Sequence, residues 1–200
     1  VLGLQCLDSF RLLLDNDQGQ ANRAALIRGG GQYAGAIANG LHMLSRAGLL
    51  TDDDQGQANR AALTQAGGQY AELITSGLRT LYNASLLVGN QGQENYRALT
   101  HGGGQYAGSV ALGLQRLVSF RLFFGEQAQT NRNALIQCGG RYAQAIAHGL
   151  VILEGADLLA GGQAQINYTS LTQGGGQHAA VIAAGLKILE AADLLVGDQA

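Results

Sequence analysis

The sequence contains no proline, no tryptophan and a single lysine, Lys187. Its two cysteines, Cys6 and Cys138, are too few for a disulfide framework and lack metal-ligand spacing, so we expect two small half-buried thiols. The formal net charge is only −2, which favours neither nucleic acid nor an anionic membrane surface as a partner. No apolar run approaches the roughly 20 residues of a membrane span, and no charged leader precedes an apolar segment, so we expect neither membrane insertion nor a signal peptide.

Glycine and glutamine are abundant instead, and they follow a long period. A Gly-Leu pair recurs six times, at intervals of 37 or 36 residues, beginning at Gly3, Gly40, Gly77, Gly113, Gly149 and Gly185. An asparagine keeps the same period, at Asn22, Asn59, Asn95, Asn131 and Asn167. So does an aromatic position, at Tyr33, Tyr70, Tyr106 and Tyr142, with His178 last. The sequence therefore predicts a tandem array with a leading half repeat at 1–15 and five full repeats at 16–52, 53–89, 90–125, 126–161 and 162–197.

The pattern within each repeat predicts a helical hairpin. In the first full repeat we predict a helix from about Gln18 to Arg28 with Asp17 as its N-cap, a triple glycine that ends it, and a second helix from about Gln32 to Ala47. No alternating pattern typical of a strand occurs. Tandem helix-turn-helix units of about 36 residues predict an all-α fold, specifically an α-solenoid.

The interior glycine of the second helix lies on its apolar stripe. Counted from Tyr33 at 100° per residue, Ile37, Leu41 and Leu44 share one arc of about 100°, and Gly40 lies beside them. Glycine weakens a helix by about 1 kcal/mol relative to alanine. The stabilisation that offsets this loss must therefore come from packing. We expect Gly40, Gly77, Gly113, Gly149 and Gly185 to admit a neighbouring helix, with the tyrosine of that repeat over the gap.

The recurring asparagine and glutamine define two further predicted surfaces. The asparagine shares a side of the first helix with a recurring leucine, so we expect a buried ladder that hydrogen-bonds each hairpin to the next backbone. The alternative is a ladder that grips an extended peptide together with Arg23, Arg60 and Arg132. The glutamines project to the opposite side and predict an exposed ridge, either simply solvated or in lateral contact with other chains: Gln20, Gln57, Gln93, Gln129 and Gln165.

Nothing in the sequence points to catalysis, a cofactor or a metal. The four histidines, His42, His101, His148 and His178, occupy four different repeat positions and form no metal-binding motif. The triple glycine follows no strand and precedes no Lys-Ser or Lys-Thr, which excludes a phosphate-binding loop. Asp52–Asp54 lack the alternating ligands of a calcium loop. We therefore expect a protein that is not an enzyme.

The segment GGGQYA, Gly29–Ala34, at the start of a long helix after a short one resembles the repeats of TAL-effector DNA-binding proteins. The resemblance covers this segment, its copies and the two-helix layout, and it implies DNA binding. The chain departs from that family because the residues before the glycines show no two-residue code and the overall charge is not basic. DNA binding is therefore the third functional interpretation, and we expect no nucleic acid partner.

Self-association is the first interpretation. The array starts and stops within a repeat and shows no polar capping repeat, so we expect copies to stack through uncapped ends or along the glutamine ridge into an oligomer or filament. The leucines expected to lack cover are Leu4, Leu7, Leu12, Leu13, Leu186, Leu189, Leu194 and Leu195. A peptide- or protein-binding scaffold is the alternative. Two glycosylation sequons, at Asn83 and Asn167, and a composition that suits a building material favour an extracellular location.

Overall fold

The computed structural model describes residues 2–13, 16–123, 127–160 and 163–195. The all-helical prediction is confirmed, because these residues form eleven α-helices and no strand. The helices are α1 (Leu2–Ser9), α2 (Asp17–Arg28), α3 (Ala34–Arg46), α4 (Asp54–Leu63), α5 (Ala71–Asn83), α6 (Gly89–Thr100), α7 (Ala107–Ser119), α8 (Gln127–Leu135), α9 (Ala143–Glu154), α10 (Ala164–Thr172) and α11 (Ala179–Ala191). The side chain of Cys138 lies outside the described residues, so its predicted burial stays a prediction.

Each hairpin joins a first helix to a second helix through a turn of three or four residues, which in Gln65–Gly68 and His101–Gly104 includes left-handed residues. These turns are Gly31–Tyr33, Gln65–Gly68, His101–Gly104, Gln137–Gly140 and Gln173–Gly176. The predicted helix limits for the first repeat are close to the observed ones, but the predicted cap is wrong. The side chain of Asn16, not Asp17, accepts the amide of Gly19 at 2.9 Å, because Asp17 already lies in the first turn.

The chain divides into two compact units. In Val1–Ala111, α1 packs on α3 and α3 packs on α5; in Leu112–Ala200, α9 packs on α11. The boundary falls inside α7, whose residues 107–111 belong to the first unit and 112–119 to the second. Each unit therefore contains second helices in direct contact with one another.

The core of each unit consists of the apolar stripe of its second helices. The stripe positions are completely or almost completely buried on α3, α5, α7 and α9: Ile37, Leu41, Leu44, Ile74, Leu78, Leu81, Val110, Leu114, Leu117, Ile146, Leu150 and Leu153. On α11 the equivalent Ile182 and Leu186 are only half-buried, and Leu189 is 40% exposed.

The expectation of uncovered leucines holds for only three of the eight, since Leu13, Leu186 and Leu195 are half-buried. Leu7 and Leu12 are buried, which contradicts the prediction, because they pack beneath the α2–α3 hairpin; Leu4 is 46% exposed. On the α11 side, Leu189 and Leu194 remain exposed.

Every second helix ends in the same way. The residue before the Leu-Leu or Leu-Phe pair takes a left-handed conformation, with φ between 55° and 69°, at Arg11, Gly48, Ser85, Arg121, Asp157 and Asp193. The next amide then bonds a carbonyl five residues back, as from Leu49 N to Leu44 O and from Leu158 N to Leu153 O, both 2.9 Å. This is the hydrogen-bond pattern of a Schellman motif, and it turns the chain into the following link.

Candidate functional site

The junctions between successive hairpins hold the recurring residues, and the interior glycine lies at the closest approach. A Cβ placed on Gly149 would lie 2.6 Å from Leu171 Cδ1 and 2.8 Å from the carbonyl oxygen of Ala179. Gly77 meets Leu99 and Ala107 in the same way, and Gly113 meets Leu135 and Ala143. A leucine from the following first helix and the backbone of the following second helix therefore fill the space above each of these glycines.

The tyrosines do not occupy that space. Tyr33, Tyr70, Tyr106 and Tyr142 are all half-buried residues that immediately precede a second helix. At Gly40 the neighbouring atoms are the methyl groups of Leu63 and the hydroxyl of Thr75. The prediction of a ring over the gap is wrong, because the leucine of the next first helix reaches the glycine first.

In three of the later hairpins, the glycine two residues before the tyrosine or histidine position makes a second contact at the junction. Gly68, Gly104 and Gly176 have φ near +82°, and a Cβ on them would lie 2.3–2.8 Å from Ile37, Ile74 and Ile146 of the preceding second helix. Only a residue without a side chain fits there, both for space and for backbone conformation.

The first hairpin differs at this position. Gly31 is exposed, and a Cβ placed on it would have no neighbouring atom within 4 Å. A cavity of about 750 Å³ opens here, lined by Gly3, Gly31, Tyr33 and Ala34 together with residues of α3 and α5. Unlike Gly68, Gly104 and Gly176, Gly31 is not left-handed, so the backbone of this turn differs from that of the later hairpins.

All five repeat asparagines are buried, with at most 2% exposure. Each donates from Nδ2 to a leucine carbonyl nine or ten residues earlier, at 2.7–2.9 Å; the acceptors are Leu12, Leu49, Leu86, Leu122 and Leu158. The asparagines therefore bind the link that precedes their own first helix, not the next backbone. An extended peptide has no access to these amides, and Asn167 of the second sequon is equally inaccessible, whereas Asn83 is exposed.

The residue after each asparagine was not recognised as structural from the sequence. Arg60 is 1% exposed and donates from Nε to Asn22 Oδ1, at 2.9 Å, and from Nη1 to the carbonyl of Thr51. Tyr96 donates to the carbonyl of Asn59, and Tyr168 donates to that of Thr130. These side chains form hydrogen bonds to the preceding repeat. This position holds either arginine or tyrosine, and both combine a long apolar body with a polar tip. That restriction to two residue types is the only signal of the contact in the sequence.

Burial shifts the ionisation of these side chains. It lowers the pKa of the Arg60 guanidinium, with nearby Asp52 and Asp53 opposing the shift. It raises the pKa of the Tyr96 hydroxyl, and it raises the pKa of Tyr168 to about 12. Arg132 is also buried, so two of the three arginines assigned to peptide contact are enclosed by the protein itself; Arg23 is half-buried.

The glutamines form only part of the predicted ridge. Gln20, Gln57, Gln129 and Gln165 are exposed. Gln93 is half-buried because its amide exchanges two hydrogen bonds with Asn59, at 2.8 and 2.9 Å. Lateral contact through the ridge stays a prediction for the four exposed members.

Several of the exposed large apolar side chains of the described chain lie on α11 and the segment after it. Val181 is 73% exposed, Ile188 69%, Leu189 40% and Leu194 64%. Gly185 is exposed with no atom near it. Among the described residues, the positions of Gly185 and Leu189 are thus exposed on α11, whereas the equivalent glycines and leucines of α3, α5, α7 and α9 are buried.

Chemistry-bearing residues are scattered. The described part of the chain contains no group of three or more histidine, cysteine or acidic residues that could hold a metal ion. His42 stacks on Phe10 with ring centroids 3.9 Å apart, burial lowering its pKa, and His148 contacts Arg116 at 3.0 Å. No helix of the described residues is long and apolar enough to cross a membrane.

Comparisons with known proteins add no assignment. No protein-family model, no curated protein and no solved structure matches the chain. The resemblance to TAL-effector repeats therefore gains no support from them.

Proposed function

We propose that this chain is a non-enzymatic structural repeat protein, an α-solenoid whose copies self-associate into an extended oligomer through the open face of α11. The observation that carries the proposal is the contrast between α11 and the other second helices. Gly149 and Leu150 of α9 are buried beneath the α10–α11 hairpin, while on α11, over which no described hairpin lies, Gly185 is exposed and Leu186 is only half-buried.

The exposed side chains supply the driving force for association. Burying a leucine, isoleucine or valine side chain completely contributes about 1.5–3 kcal/mol. Leu189 and Leu194 retain 40% and 64% of their exposure, so a covering surface would recover a substantial part of that energy for each. A formal charge of −2 offers little repulsion between copies.

The geometry favours a head-to-tail contact. Inside the chain, the glycine face of one second helix meets the backbone of the next hairpin, so the two contacting surfaces are different. A contact between unlike surfaces does not close on itself in a pair and generates rings or filaments.

Sedimentation velocity over a wide range of concentrations tests the proposal. We expect the 200-residue chain to form larger species as its concentration rises, and Leu189→Glu to weaken this association at least tenfold. The matched control is Val88→Glu, another exposed apolar position that lies outside α11. A parent chain that stays monomeric at high concentration would contradict the proposal and favour the peptide-binding scaffold.

A further inference from the structure

We propose that the groove between α7 and α9 binds an acidic amphipathic helix of a partner protein, through two apolar anchors and one carboxylate. The groove is lined by Leu112, Arg116 and Phe120 on the α7 side and by Gln144 on the α9 side, and it holds a cavity of about 330 Å³. This surface is separate from the exposed residues of α11. The proposal therefore goes beyond self-association and does not depend on it.

The first observation is that two large apolar side chains are exposed together in this groove. Leu112 is 46% exposed and Phe120 is 53% exposed, and both line the cavity. In the other four full repeats, the position of Leu112 holds asparagine, serine, histidine or alanine, and the position of Phe120 holds alanine. Packing within the array therefore requires neither side chain. Exposed apolar patches rimmed by polar residues mark interaction surfaces.

The leading half repeat shows how an aromatic residue at this position can be covered. Phe10 occupies the same position as Phe120 and stacks on His42, with ring centroids 3.9 Å apart and ring planes 14° apart. In the repeat that follows Phe120, the residue equivalent to His42 is Val151, which has no ring to stack. About half of the Phe120 side chain therefore stays accessible to an apolar side chain of a partner.

The second observation is the charge between the two anchors. Arg116 is the one charged side chain among the described residues that line the cavity, and it is exposed. Its Nη1 contacts His148 Nδ1 at 3.0 Å, which holds the guanidinium at the groove. A guanidinium has five N–H donors and can bind a carboxylate through two of them at once. The charge that complements this groove is therefore a carboxylate.

The spacing of the anchors fixes the form of the partner segment. Leu112 and Phe120 are separated by about two helical turns, or about 12 Å along the helix axis. A second helix laid along the groove matches this interval with two apolar residues about seven positions apart, and it places an acidic residue opposite Arg116 when that residue lies midway between them. This is the helix-in-groove mode of recognition, in which an amphipathic helix lays its apolar face into a groove.

Fluorescence anisotropy with a synthetic probe peptide tests the apolar anchors. The probe is a labelled, alanine-rich helix with two leucines about seven residues apart and a glutamate midway between them. We expect saturable binding to the 200-residue chain, weakened at least tenfold in Phe120→Ala and in Leu112→Ala. Both side chains are exposed, so the variants should unfold at the temperature of the parent. Val88→Ala, another exposed apolar position, is the control and should bind the probe like the parent.

A second peptide, in which glutamine replaces the glutamate, tests the carboxylate contact. We expect the parent to bind this peptide at least tenfold more weakly than the probe. Arg116→Gln should lose at least tenfold in affinity for the glutamate peptide and less than twofold for the glutamine peptide, because only the first contains the charge pair. Arg79→Gln, which removes an exposed arginine of α5, is the matched control and should change neither affinity. Equal losses for both peptides in Arg116→Gln would overturn the acidic partner.

The remaining outcomes also decide the proposal. If the probe does not bind, or if Phe120→Ala binds it like the parent, the partner helix is wrong. If Phe120→Ala weakens self-association in sedimentation velocity and leaves probe binding unchanged, a second copy of the chain occupies the groove and the partner helix is again wrong. A parent chain that stays monomeric but binds the probe as described would contradict only the association through α11.

Discussion

Gly149 and Gly185 occupy the same position in successive repeats of one unit, yet their surroundings are opposite. Above Gly149 the backbone of Ala179 and a methyl of Leu171 leave no room for a side chain; above Gly185 there is open space. The same Gly-Leu pair is therefore a strict packing requirement on α9 and a free position on α11. The requirement comes from the neighbouring hairpin and not from the helix that carries the glycine.

Truncating the leucine that follows each of these glycines should show the largest difference in stability loss between α9 and α11. Leu150 is fully buried, so Leu150→Ala should lower the free energy of unfolding by about 2–5 kcal/mol through lost burial and a residual cavity. Leu186→Ala should have less than half of that effect, because Leu186 is only half-buried. Urea unfolding of both variants at a concentration where the parent is monomeric makes the measurement. Equal losses would mean that α11 is covered in solution.

The glycines themselves give the next largest contrast. Gly149→Leu should destabilise by about 1–3 kcal/mol through overpacking against a backbone carbonyl. Gly113→Leu should act in the same range, since its nearest neighbours lie at 3.1–3.2 Å. Gly185→Leu should leave thermal unfolding unchanged. A stable Gly149→Leu protein would refute the close-approach argument.

The asparagine bonds extend the comparison to the first helices. Asn167→Ala should cost about 1–3 kcal/mol, because it leaves the Leu158 carbonyl buried without its donor. Gln165→Ala, an exposed change on the same helix, should be near zero. Hydrogen exchange should show faster opening of the link before α10 in the asparagine variant. If both variants unfold alike, the bond does not stabilise the link.

The smallest effect concerns pH on the covered side of the last hairpin. The pKa of Tyr168 is raised to about 12 in the folded protein from an ordinary value of 10.0. The neutral Tyr168 hydroxyl therefore makes its full contribution to the free energy of unfolding below pH 10. This contribution is lost as the pH rises toward 12, because the tyrosine ionises first in the unfolded state. Tyr168→Phe should therefore show a flatter decline of stability between pH 10 and 12. An identical slope in both proteins would count against the burial of the Tyr168 hydroxyl that raises its pKa.

The helices and the interior glycines could be predicted because a 36-residue period and a 100° stripe are local signals. The side chain that packs against each glycine could not be predicted, since the leucine at Leu63 and the tyrosine at Tyr33 recur with the same period and only the docking of the hairpins selects the leucine. The cap at Asn16 differs from the predicted Asp17 by one residue, within the ambiguity of two adjacent capping side chains. The bonds of Arg60, Tyr96 and Tyr168 depend on the register between repeats, which no single repeat encodes. The covered state of Leu7 depends on the same docking.

The turn that ends each second helix also has a consequence for engineering. Of its six left-handed residues, only Gly48 is a glycine; Ser85, Arg121 and Asp157 adopt the same conformation with a side chain present. Such residues lie about 1–2 kcal/mol above the right-handed conformation, a penalty that glycine avoids and that its greater freedom in the unfolded chain offsets only in part. Replacing these residues with glycine should therefore stabilise several repeats. Copying the one glycine version of the turn into the other repeats should make a more heat-resistant array without changing any surface used for packing or assembly.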